Sequence, residues 1–144
     1  MNFLAKFVTA AALFTLVLGT NAQTLRVKII SGKTGKPVAN EHVNFFRNGD
    51  FADLMGSHNI RGFTTDGNGV ITVAEIAADT QTVGVSVDWH RACSKHYQWF
   101  SLHQIFFTGV ASENSCKSRI RQEAAPGTLI FYVRPETFFE KMAH

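Results

Sequence analysis

Apolar and polar positions alternate along most of this chain, and the alternation predicts strands. Leu25, Val27 and Ile29 alternate with Arg26 and Lys28, which places the apolar set on one face of a half-buried strand. The run Ser31-Gly32-Lys33-Thr34-Gly35-Lys36-Pro37 ends it, because glycine admits positive φ and proline withholds a ladder donor. A second strand is predicted around His42 to Arg47, with Val43 and Phe45 on one face and Asn44 and Phe46 on the other. Residues Asn48 to Asn59 carry no clean period and read as a long excursion. Gly62-Phe63-Thr64-Thr65 and Val70-Ile71-Thr72-Val73 flank Asp66-Gly67-Asn68-Gly69, a pattern that predicts a hairpin. A calcium loop would need further acidic residues after Gly69, where the chain runs Val70-Ile71-Thr72.

The most regular alternation is Thr82-Val83-Gly84-Val85-Ser86-Val87-Asp88, and the last strand is predicted from Thr128 to Arg134. In that last strand Leu129, Phe131 and Val133 face one way and Ile130 and Tyr132 the other, so it should be covered on both sides. No useful helical period appears until Phe138, Phe139 and Met142, which would line one side of a short terminal helical turn. Short strands without interleaved helices predict a single all-β sandwich. The chain's 13 phenylalanines would supply much of its core.

The first residues have a different pattern. Lys6, an apolar block from Phe7 to Leu18 and the small-residue end Gly19-Thr20-Asn21-Ala22 form an export signature, with cleavage expected after Ala22. The apolar block is shorter than the roughly 20 residues that a membrane-crossing helix needs. Residues 1–22 are thus expected to be a signal peptide, leaving residues 23–144 as one domain, secreted or periplasmic, with no stable membrane span. The formal net charge is +3, and the basic residues are scattered, Arg119 and Arg121 being the nearest thing to a patch. That distribution argues against a nucleic-acid surface.

Cys93 and Cys116 are the only two cysteines, and an even count in an exported chain predicts a disulfide. The alternative is metal binding, since His90, Cys93 and His96 stand at H-x2-C-x2-H with His103 and Cys116 further on, but this spacing matches no closed zinc motif. A Cys93 nucleophile with His96 as base would be removed by the disulfide. Trp89, Tyr97, Trp99 and Phe100 crowd the same segment beside His96. They are candidates either for stacking on a sugar or clamping a peptide, or for padding a long loop.

The turns carry a resemblance. Thr34-Gly35-Lys36-Pro37-Val38 before the second strand, and Thr65-Asp66-Gly67-Asn68-Gly69 between the next two, resemble the carboxypeptidase regulatory-like domains. The resemblance covers Leu25 to about Asp88 and returns loosely at Gly127 to Arg134. It implies a transthyretin-like (prealbumin-like) sandwich of about seven strands and is nearly silent on function. This chain departs from the family in a long insertion, from about Trp89 to Pro126, before the last strand; the insertion holds both cysteines and both tryptophans.

Signatures of enzymes with similar sandwiches are missing. The chain does not end in a Tyr-Arg-Gly-Ser tail, lacks the two-tyrosine, two-histidine iron set, and has no Gly-x-Ser-x-Gly elbow. The expectation is a non-enzymatic module without cofactor, binding carbohydrate or peptide, or serving a structural role, at the envelope of a bacterium. The rival is a metal-dependent or hydrolytic enzyme that uses the His/Cys-containing insertion.

Overall fold

The computed structural model describes residues 23–49, 61–116 and 119–143. The expected leader at 1–22 and the excursion beyond Gly49 lie outside these residues. The described chain forms nine strands and two short helices: β1 (Leu25–Ser31), β2 (His42–Arg47), β3 (Arg61–Thr64), β4 (Val70–Val73), β5 (Thr82–Val87), β6 (His90–Ala92), β7 (Trp99–Ser101), α1 (Leu102–Thr108), β8 (Val110–Ala111), β9 (Thr128–Pro135) and α2 (Phe138–Met142).

The strands form two sheets. One has the order β4-β1-β9-β6, with β8 also paired to β9, and the other has the order β3-β2-β5-β7. The alternation seen in the sequence decides what each sheet buries. Leu25, Val27 and Ile29 of β1 and Leu129, Phe131 and Val133 of β9 share one core with Val43, Phe45, Val83, Val85 and Phe100 from the other sheet.

Strand β9 has no free side. Its register places Val27 beside Leu129 and Ile29 beside Phe131 in a parallel ladder with β1. On its other edge β8 runs parallel beside Leu129 and Ile130, and β6 runs antiparallel beside Val133 to Pro135. Between them the Ser112 N–H donates to the Ile130 carbonyl at 2.8 Å, the Tyr132 N–H donates to the Ser112 hydroxyl at 2.9 Å, and the Cys93 N–H donates to the Tyr132 carbonyl at 2.9 Å. Ile130 and Tyr132 point away from the main core and form a second one with Ile30, Cys93 and Cys116, against which Ile120 and Ala124 pack. Residues 112–116 and 119–125 thus supply the outer cover that the two-sided apolar pattern of β9 requires.

That cover is fastened by the Cys93–Cys116 disulfide, with Cα atoms 5.2 Å apart, and a bond of this kind points to an oxidising, extracytoplasmic environment. Asn114, buried beside it, donates to the carbonyls of Gly32 and Ile120 at 3.0 and 3.1 Å. Gly32 has to be glycine: a Cβ there would sit 2.4 Å from the Cys93 sulfur and 2.5 Å from Asn114 Oδ1. The Tyr132 hydroxyl accepts from the Gln122 N–H at 2.7 Å, so the one polar atom of that buried ring is satisfied.

The expected hairpin at Asp66 to Gly69 is a different structure. β3 pairs with β2 and β4 pairs with β1, so the turn carries the chain from one sheet to the other. Local turn chemistry is the same in both cases, which is why the sequence alone did not separate them. Asp66 Oδ1 accepts from the N–H groups of Asn68 and Val70, each at 2.9 Å, and the Gly69 carbonyl accepts from the Ile29 N–H at 2.8 Å.

The insertion from about Trp89 to Pro126, read in the sequence as a long loop, takes part in both sheets. It contributes β6 and β8 to one sheet and β7 to the other, and these strands are too short, at two or three residues, to show an alternation. It also forms α1, where Ser101 caps the helix by accepting from the Gln104 N–H and only Ile105 is fully buried. The terminal helical turn is α2, whose Phe138, Phe139 and Met142 are exposed. Arg134 holds α2 through two bonds to Glu140, at 2.8 and 2.7 Å. This guanidinium, aided by the Thr137 N–H, draws the Glu140 carboxyl well below the usual carboxylate range.

Two outcomes test this architecture. A Cβ on Gly69, at φ +72°, would lie 2.7 Å from the Ile29 carbonyl oxygen and 2.9 Å from the Val38 nitrogen, whereas one on Gly67 would meet nothing. Gly69→Val should therefore cost roughly 2 kcal/mol or more in urea denaturation. Gly67→Ala should stay within about 0.5 kcal/mol, and equal effects at the two positions would refute the packed turn. The disulfide closes a loop of 23 residue steps. Its reduction should lower stability by about 3 kcal/mol, and native protein should take up no thiol label before reductant is added. An unchanged unfolding midpoint after reduction would show that the cover over β9 does not depend on the bond.

Candidate functional site

Glu41 and His42 precede and open β2, and together they grip the corner between β5 and β6. The main chain of Glu41 is fixed first: its N–H donates to the Thr65 hydroxyl at 2.9 Å and its carbonyl accepts from the Thr65 N–H at 2.9 Å. Its side chain is fully buried. One carboxyl oxygen accepts from the N–H groups of Asp88 and Trp89, at 3.2 and 3.0 Å, and the other meets His90 Nδ1. Successive residues of an extended chain point to opposite faces, and His42 accordingly makes its own pair with Asp88, which also accepts from Asn44 at 2.8 Å. Trp89 is 60% exposed and lies tilted against His42, with ring centroids 6.4 Å apart.

The Glu41 contact fixes which nitrogen of His90 is engaged. With Nδ1 held, Nε2 has no partner among the described residues. His90 lines a cleft of about 240 Å³ where the edges of the two sheets come together, with Val85 and Phe131 also in its wall. Arg91 of β6 and Ser94, Lys95, His96, Tyr97 and Gln98 of the following connection contribute to its polar lining. Removing the Glu41 carboxyl would orphan the Trp89 N–H, leave the Asp88 N–H with the His42 carbonyl alone, and release His90, so this buried group supports the cleft from behind.

Tyr97 serves both the cleft and the sheet. Phe46, Gly84 and Trp99 stand in register across β2, β5 and β7. A Cβ on Gly84 would lie 2.4 Å from the Tyr97 hydroxyl and 2.9 Å from the Trp99 ring, so the two aromatic side chains fill the space that this glycine leaves. Their ring centroids are 5.3 Å apart. Burial pushes the Tyr97 phenol up to about 12, so it stays neutral at neutral pH, while the residue remains 40% exposed at the cleft.

The candidates drawn from the sequence therefore separate. His90, His96 and Tyr97 come together at the cleft. Trp99 packs on Tyr97 over the outer face of β5, and Phe100 is only 5% exposed within the main core, with no surface to offer a ligand. His103 lies on α1, stacked on Phe107 at 5.9 Å. Cys93 and Cys116, being bonded, supply no thiolate. Among the described residues no three His, Cys, Asp or Glu side chains gather to hold a metal ion, and no helix is long and apolar enough to cross a membrane.

Glu41, His42 and Asp88 were missed in the sequence. The available signal was the reciprocal placing of Glu41-His42 at one strand start and Asp88-Trp89-His90 at the end of another, two acid–histidine pairs that only the β2–β5 pairing brings face to face. The chain matches no protein-family model, no curated protein and no solved structure.

Proposed function

We propose that the protein is an exported, non-enzymatic binding module of the cell envelope, built on a carboxypeptidase regulatory-like, transthyretin-like β-sandwich. Its ligand, a carbohydrate or a peptide, enters the cleft beside β6. The export signature at residues 1–22 and the disulfide support the compartment. Three features support the fold reading: the Gly35 turn at φ +73° ahead of β2, the Asp66 turn between β3 and β4, and the pairing of β1 with β9.

The observation that carries the binding reading is the cleft, a shallow surface of mixed polar and apolar lining next to an aromatic ring on a two-sheet frame. His90 there is fixed in advance by the Glu41 contact and the backbone after β6 by the disulfide at Cys93, which lowers the ordering cost of binding. His96 is exposed and makes no contact that the frame needs, so His96→Ala tests the site without disturbing the fold. On glycan and peptide arrays the variant should bind its ligand about tenfold more weakly, with an unchanged thermal midpoint. Undiminished binding would move the site elsewhere.

One observation favours a second reading, hydrolysis. Glu41 orients His90 as a carboxyl group orients a general base, and Ser86 and Ser94 line the same cleft. Turnover of chromogenic esters or glycosides that disappears in His90→Gln would support it. Absence of turnover in the unaltered protein would leave binding as the function.

A further inference from the structure

Resting on the binding reading above, we infer that the ligand is an acidic oligosaccharide whose carboxylates are held along the segment from Ala92 to Lys95. A second cleft, of about 420 Å³, lies on the other side of that segment, and the two clefts share Ala92, Ser94 and Lys95. The second is walled by Lys33, Arg134 and Thr137 and by the disulfide. Among the described residues no aspartate or glutamate lines either cleft.

The cations around this surface are of two kinds. Arg91 is paired with Glu136 at 3.0 Å and Arg134 with Glu140 at 2.7 Å, so both are partly neutralised. Lys33 and Lys95 are exposed and have no ionic partner among the described residues. Lys95 stands where the clefts meet, so a ligand long enough to use both would cross it. Exposed lysines attract anions over about a Debye length, and the imidazoles of His90 and His96 extend the same surface into the first cleft.

The geometry favours a sugar over an extended peptide. Sheets hold peptides by adding a strand to an open edge, and the edges at this cleft are short: β6 has three residues, and β5 lines it only at Val85, Ser86 and Val87, beyond its pairing with β7. That leaves side-chain recognition. The surface offers serine and threonine hydroxyls and the Gln98 amide for ring hydroxyls, the exposed part of Tyr97 for a sugar face, and lysines for carboxylates.

Titration calorimetry at low salt with three probes tests this: a de-esterified oligogalacturonate, the same oligomer with its carboxylates methyl-esterified, and an oligoglutamate of equal charge. The acidic sugar should bind, and esterification or Lys95→Gln should each weaken binding about tenfold. Lys36→Gln removes the same charge outside both clefts and should change nothing. Equal binding of the esterified oligomer would overturn the acidic-ligand inference and leave the binding module standing. Oligoglutamate binding as tightly as the sugar would overturn the sugar assignment. If the acidic sugar fails to bind, the inference falls; if arrays of neutral glycans and peptides also stay blank, the binding reading falls with it.

Discussion

The structure depends on one constraint: β9 is apolar on both faces and paired on both edges. Leu129, Phe131 and Val133 need the opposite sheet, while Ile130 and Tyr132 need a cover that a two-sheet architecture does not by itself provide. The chain meets the second need with residues 112–116 and 119–125, tied down by a disulfide and by the Asn114 and Gln122 hydrogen bonds. Both clefts lie beside this arrangement, because the segment leaving β6 has to run toward Cys93 before it can return as β7. The position of the candidate site is thus a by-product of covering a strand.

Strands longer than four residues were legible, because their side chains report burial at every second position. β1, β2, β5 and β9 fall where alternation places them, and the two-sided burial of β9 could be read directly from Leu129 to Val133. The four-residue strands β3 and β4 and the terminal turn α2 were placed as well, but the two- and three-residue strands and α1 were not. α1 did carry a signal in Ser101-x-x-Gln104, the half-buried Leu102 and Phe106 around Ile105, and Gly109 at its end, but seven residues among strand-forming aromatics obscure a helical period. The change of sheet at Asp66 to Gly69 was illegible for a different reason: turn residues specify a local reversal, and the partner of each flanking strand is decided by distant residues.

The site was legible in half. Aromatic and histidine crowding pointed to residues 89–100, and His90, His96 and Tyr97 do share a cleft. The crowding also included Phe100, which serves the core, and Trp99, which fills the space over Gly84. The group that organises the cleft is Glu41, nearly 50 positions away from His90. A buried acid has no period and no motif, so only the folded arrangement of β2 against β5 reveals it.

The parallel ladder between β1 and β9 joins Arg26 to Thr128, residues about as far apart in the chain as the described structure allows. Such a pairing has a large loop-closure cost and contributes nothing until both strands are present, so it forms late and slowly. The Cys93–Cys116 loop spans a much shorter stretch and lies wholly before β9. Thiol oxidation can therefore tie the outer cover together before the last strand is inserted, while shortening the span from Arg26 to Thr128 too little to change by itself how fast those ends meet.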